Sequence, residues 1–294
     1  MTDRIPPHPP YAGLHWHHAA LPIAIVMIAT ASAAIISGAA AVFAQMQMAL
    51  LISGIILLLW APFAALALAR HHWVGTAALG IVAALFALNL VSLTLPRVGV
   101  FAGFDWNWQG KTLDLIWCLA LIALLSRDQR CEIGWTWRTR PGTLGEAFLN
   151  IGILVVAGYL LAGNWSPAAY DAERVSSLTL ERILFDTTHP NLVEEIVFRG
   201  FMLALLDRAF PPRWTIWRAQ VGWGLVLTTI LFGLVHGVSV SPDGALVFDP
   251  VWLFASAVMG FVIGWVRALT GSLWPAFLAH CAPETGILLG MWLR

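Results

Sequence analysis

Between Arg4 and Arg70 the chain contains no Asp, Glu, Lys or Arg. A charge-free run of that length can hold two transmembrane helices, because one span needs about 20 apolar residues. The rest of the chain agrees: 59% of its 294 residues are hydrophobic, 11% are charged, and mean hydropathy is +0.78. Soluble domains carry about 25% charged residues, so an ordinary soluble protein is excluded and a lipid bilayer is the expected surrounding. Net charge is zero, and no basic patch with interleaved aromatics appears, which argues against a nucleic-acid partner. Cys118, Cys131 and Cys281 are widely spaced and odd in number. They fit neither a disulfide framework nor a zinc ribbon and read as packing residues. The Pro- and His-rich first twenty residues read as a polar juxtamembrane tail, neither a cleavable signal nor, through His15, His17 and His18, a metal site.

Nine apolar segments are expected, at 21–45, 48–69, 73–95, 112–126, 145–163, 183–206, 217–237, 251–268 and 272–293. Little more than Gln45-Met46-Gln47 separates the first two. The fold class is all-α: a polytopic transmembrane helix bundle of about eight or nine spans with an intramembrane cavity. Trp73, Trp106, Trp108, Trp135, Trp137, Trp165, Trp214, Trp217, Trp252, Trp274 and Trp292 fall at segment ends, as an interfacial aromatic belt requires. With nine spans, ten of the cationic residues, including Arg127, Arg130, Arg138, Arg140, Arg208, Arg213 and Arg218, lie on one side and five on the other. The richer side is cytoplasmic by the positive-inside rule. Residues 1–144 read as N-terminal helices of unassigned role, with no ionisable group deep in an apolar segment. Residues 145–294 read as the core that carries the site.

Five ionisable residues of that core interrupt apolar text: Glu194, Glu195 and Arg199 in the sixth segment, His236 at the end of the seventh, and His280 in the ninth. Each costs roughly 2.5–3.5 kcal/mol at a bilayer centre, so such residues usually face an interior and carry function. On a helix Glu195 and Arg199 share a face and can pair, while Glu194 points about 100° away and is left unpaired. Pro190 and Asn191 predict a helix start or break just upstream. Phe232 and His236 are four apart, and Gly233 and Gly237 permit a close helix neighbour. His280 and Glu284 form a third pair, with Pro283 between them expected to kink the helix. Taken one at a time, these are equally salt bridges or satisfied buried histidines. His71, His72, His189, Asn150 and Asn164 read as interface or loop residues. A carboxylate beside a histidine can deprotonate a water for attack on a carbonyl. No His-Glu-x-x-His motif, no Gly-x-Ser-x-Gly elbow and no Gly-rich phosphate loop is present.

Glu194-Glu195-x-x-x-Arg199, Phe232-x-x-x-His236 and the late His280, in the context Glu-Glu-Ile-Val-Phe-Arg-Gly-Phe, Leu-Phe-Gly-Leu-Val-His-Gly and Trp-Pro-Ala-Phe-Leu-Ala-His, resemble the type II CAAX prenyl endopeptidases. Their bacterial relatives are the CPBP (Abi) glutamic intramembrane proteases. The resemblance covers about residues 180–290. It implies that Glu194 is the base, His236 its partner, His280 an oxyanion ligand, and Glu195 with Arg199 a structural brace. It also implies a membrane-associated peptide or protein tail as substrate and no cofactor; the short apolar style and the Ala, Trp and Arg usage point to a multi-pass protein of a bacterial inner membrane. One position departs from the family: Glu284 stands where those enzymes carry Asn or Asp. It is expected either to be protonated with substrate bound, donating a hydrogen bond, or to orient His280. With nine spans the site falls toward the outer face, whereas the enzymes it resembles act on cytoplasmic substrates. The competing readings are a zinc protease with Glu194, His236 and His280 as ligands, a non-catalytic immunity or scaffold protein, and a proton-relaying transporter.

Overall fold

The computed structural model describes residues 16–71, 75–161, 178–241 and 244–293. Arg4, His15, His72, Trp73, Asn164, Trp165, Arg174 and Arg294 lie outside them, as do the side chains of His17 and His18. The architecture is all-α with two small hairpins. Helix α1 (Trp16–Ser37) and helix α2 (Ala39–Arg70) are separated by Gly38 alone. Gly38 takes φ 90°, a conformation that costs a residue without a Cβ little. The break expected at Gln45-Met46-Gln47 is therefore displaced. Glutamine is a good helix former, and both glutamines are exposed on an unbroken α2.

Helix α3 (Thr76–Thr94) leads through a 3-10 turn (Gly99–Gly103) to α4 (Trp108–Leu124), then α5 (Arg127–Glu132) and α6 (Leu144–Leu161). The sixth apolar segment, read as one span, is four pieces. Helix α7 (Leu180–Thr187) ends at Thr188, whose φ −123° and ψ −146° leave the helical region. Helix α8 (His189–Glu195) restarts with Pro190 in its first turn, as expected from the missing proline N–H. It widens into a π-helical stretch (Ile196–Met202) and closes as α9 (Leu203–Ala209). Such π segments recur at functional sites. Two antiparallel hairpins absent from the sequence reading then bracket α10 (Trp223–Gly237). They are β1 (Trp214–Ile216) with β2 (Ala219–Val221), and β3 (Val238–Val240) with β4 (Leu246–Phe248).

Helix α11 (Pro250–Thr270) is capped by Asp249, which accepts from the Trp252 N–H at 2.9 Å. It stops at Gly271 (φ 76°), and Ser272 caps α12 (Leu273–Trp292), which runs unbroken through Pro283. The close approach expected at Gly233 and Gly237 is present. A Cβ on Gly237 would lie 2.3 Å from Leu253 Cβ, and one on Gly233 2.8 Å from Ala257 Cβ. Helix α12 leans on α6 with as little clearance: a Cβ on Gly158 would meet the Pro283 carbonyl at 2.0 Å. In a bilayer, where lipid tails are as apolar as leucine, such backbone proximity supplies the van der Waals contact that holds helices together.

The main core draws Ile56, Phe86 and Trp117 from the first half and Phe198, Phe201 and Phe232 from the second. Trp60 donates its indole N–H to the Leu227 carbonyl at 3.0 Å. The two halves thus share one packed interior. Five of the described helices are long and apolar enough to cross a membrane: α1 from Ala19, α2, α3, α6 and α11. Helix α10 is apolar but shorter. The nine-segment reading gives more segments than this because the sixth is broken at Thr188, α4 and α10 are short, and α12, at 20 residues, is made less apolar by His280, Glu284 and its two prolines.

Candidate active site

Helix α8 is placed by its break. Asn191 donates from Nδ2 to the Asp186 carbonyl at 2.7 Å across the Thr188 corner, which turns the last two residues of α8, Glu194 and Glu195, inward. Glu195 is fully buried. Its Oε1 accepts from Arg199 at 2.9 Å and from Nδ1 of His280 at 2.7 Å. Arg199, 2% exposed, also donates to the Gly260 carbonyl of α11 at 3.1 Å and lies 4.2 Å over the Phe232 ring. One guanidinium and one carboxylate thus tie α8, the π stretch, α10, α11 and α12. The Glu195–Arg199 pairing expected from i, i+4 spacing is present, and its reach to His280 is additional.

The two histidines are held alike. His236 donates from Nδ1 to the Phe232 carbonyl one turn back, at 2.7 Å, and His280 from Nδ1 to Glu195. Each therefore turns Nε2 to the interior, and both meet the same atom. Glu194 Oε2 is 4.0 Å from His236 Nε2 and 3.8 Å from His280 Nε2, and has no hydrogen-bond partner. These separations exceed a direct hydrogen bond and suit atoms that share one water. Phe232 floors the site, its ring 4.4 Å from that of His236 and 5.8 Å from that of His280. Side-chain exposures of 18% for Glu194 and 24% for His236 show from which side the site is reached, since His280 is 5% exposed.

Two expectations change. Glu194 is not unpaired: its Oε1 accepts from Nζ of Lys111. Nor are residues 1–144 free of deep ionisable groups, for Lys111 and Asp114 of α4 are both buried, Asp114 completely. Lys111 was missed because the fourth segment was read as starting at residue 112, which left the lysine in a loop. Its signal was the i, i+3 pairing with Asp114 inside apolar text. Glu284 is one turn beyond His280 and accepts on Oε2 from Asn191 Nδ2, while the contact that orients His280 comes from Glu195. Among the described residues no group of three His, Cys, Asp or Glu side chains is arranged to hold a metal.

A family model for type II CAAX prenyl endopeptidase Rce1-like proteins matches residues 177–284. Within that range lie Glu194, Glu195, Arg199, Phe232, His236, His280 and Glu284. No curated protein and no solved structure matches the chain. The long apolar helices and this match describe a multi-pass membrane protein of protease type. Residues 177–284 of this chain are an Rce1-like, type II CAAX prenyl endopeptidase domain, consistent with the CPBP family.

Proposed function

We propose that the protein is an intramembrane endopeptidase that hydrolyses a peptide bond of a membrane-associated peptide or protein tail, with Glu194 as general base and no metal. The observation that supports this reading best is the buried, unpartnered carboxylate oxygen Glu194 Oε2, faced by Nε2 of both His236 and His280. A water seated there gives one proton to Oε2 and directs the other to His236 Nε2, which accepts because Nδ1 carries that ring's hydrogen. Its oxygen bonds to the scissile carbonyl carbon. The oxyanion takes a hydrogen bond from Nε2 of His280 in its protonated form, which the Glu195 carboxylate steadies from the other side of the ring. When the C–N bond breaks, the proton held by Glu194 passes to the leaving amine nitrogen. A protonated Glu284, on Asn191, is a second donor for the oxyanion. We place the protein in a bacterial inner membrane on its short apolar segments and its Ala, Trp and Arg usage.

The test is made with the full chain in detergent or liposomes. Wild type and Glu194→Ala are incubated with membrane-proximal peptides, with and without a chelator, and products are read by mass spectrometry. Cleavage that survives chelation and falls by roughly 10²–10⁴-fold in the variant supports Glu194 as base. Cleavage abolished by the chelator replaces this mechanism with a zinc site of Glu194, His236 and His280.

A further inference from the structure

We infer that Lys111, supplied by α4 outside the 177–284 domain, is a positioning residue of the active site. This rests on the hydrolase reading above. Its Nζ occupies Glu194 Oε1, and that contact decides which carboxylate oxygen is left for water. With Oε1 held, Oε2 is the atom presented to the two imidazoles at 3.8 and 4.0 Å. A carboxylate bound at one oxygen by a charged donor loses rotation about its last torsion, and the water site then stays in register with the histidines.

The placement of Lys111 is itself built. Asn107 caps α4 by accepting from the Gly110 N–H at 3.0 Å, and its amide donates to the Leu93 carbonyl at 2.7 Å. Glu181 of α7 accepts from the Trp106 N–H at 3.0 Å and the Trp108 indole at 3.1 Å. The first turn of α4, which carries Lys111, is therefore locked to α3 and to the helix that precedes α8. One turn on, Asp114 is 0% exposed, and its two oxygens accept from the Trp117 indole and the Asn89 amide at 2.7 Å each. Those two bonds hold the next turn of α4, through Asn89 to α3, and fix the position of the turn that carries Lys111. A lysine that served packing alone would not need its ammonium set on the general base. The N-terminal helices thereby contribute to the chemistry as well as to the lipid contact.

The test uses the full-length protein in liposomes with a peptide that the wild type cleaves, and compares Lys111→Met, Lys111→Arg and Glu194→Gln. Lys111→Met is expected to lower kcat about 10²-fold with KM within about 3-fold, and Lys111→Arg to recover at least one of those two decades, because arginine restores a charged donor to a carboxylate. Lys111→Met that keeps kcat within about 3-fold of wild type, or Lys111→Met and Lys111→Arg equally impaired, overturns the inference. A thermal double-mutant cycle between Lys111→Met and Glu194→Gln separates the layers. Additive shifts overturn the pairing itself. If Glu194→Gln cleaves the peptide as fast as wild type, the reading of Glu194 as base falls and the positioning role with it, whatever coupling the cycle returns.

Discussion

Nδ1 of His280 stands 2.7 Å from Oε1 of Glu195, across 85 residues of sequence. The same oxygen holds Arg199, so the more buried of two adjacent glutamates serves as the anchor for an imidazole and a guanidinium. Its neighbour presents its unpartnered oxygen to the two imidazoles. Adjacent identical residues on one helix acquire opposite duties because they face directions about 100° apart.

Glu195→Ala is expected to destabilise the protein by about 3–5 kcal/mol, since it leaves the Arg199 charge buried without its partner. Glu195→Gln, which retains an acceptor at that position, should lose less. Thermal unfolding in a fixed detergent checks this, and an unchanged midpoint in Glu195→Ala would show that the brace is dispensable.

His236→Ala should reduce turnover by roughly 10²–10⁴-fold, the range for loss of one group that handles the proton. The unfolding midpoint should move little, because among the described residues the hydrogen bond of His236 is to the backbone of its own helix, at Phe232. A fall in stability as large as the fall in activity would assign His236 to the packing instead.

Glu284→Asn is expected to retain more activity than Glu284→Ala. Asparagine keeps both an acceptor toward Asn191 and a donor toward the site, and alanine keeps neither. Equal activity in the two variants, measured as initial rates on one peptide, would remove Glu284 from the oxyanion role.

Gly237→Ala should cost about 1–3 kcal/mol, because its Cβ would fall 2.3 Å from Leu253 Cβ and force α10 from α11. Gly152→Ala, in α6 with nothing within 4 Å of the added carbon, should be neutral or gain up to about 1 kcal/mol from helix propensity. A matched pair of denaturation curves distinguishes tight packing from a general intolerance of substitution at glycine.

Much of the site was legible because its residues violate the local composition. Glu194, Glu195, Arg199, His236 and His280 stand out in apolar text, and i, i+4 spacing already pairs Glu195 with Arg199 and Phe232 with His236. Pro190 announced the restart of α8, because proline suits a first turn best. Other features had no such contrast. A single Gly38 among small apolar residues does not advertise a break, and nothing local marks Ile196–Met202 as π-helical. The Thr188 corner falls in a segment whose hydropathy alone reads as one span.

Composition and periodicity, which are properties of neighbours along the chain, determined that this protein is a helical membrane bundle and named the histidines and carboxylates of its second half. Tertiary structure alone decided that Glu195 reaches His280, that Asn191 takes Glu284, and that Lys111 from α4 closes on Glu194. Those contacts join residues 83 or more positions apart in every case. Which charges meet across such separations depends on how α4, α8 and α12 are set by caps, glycine contacts and the Thr188 corner, not on any spacing a single helix can encode.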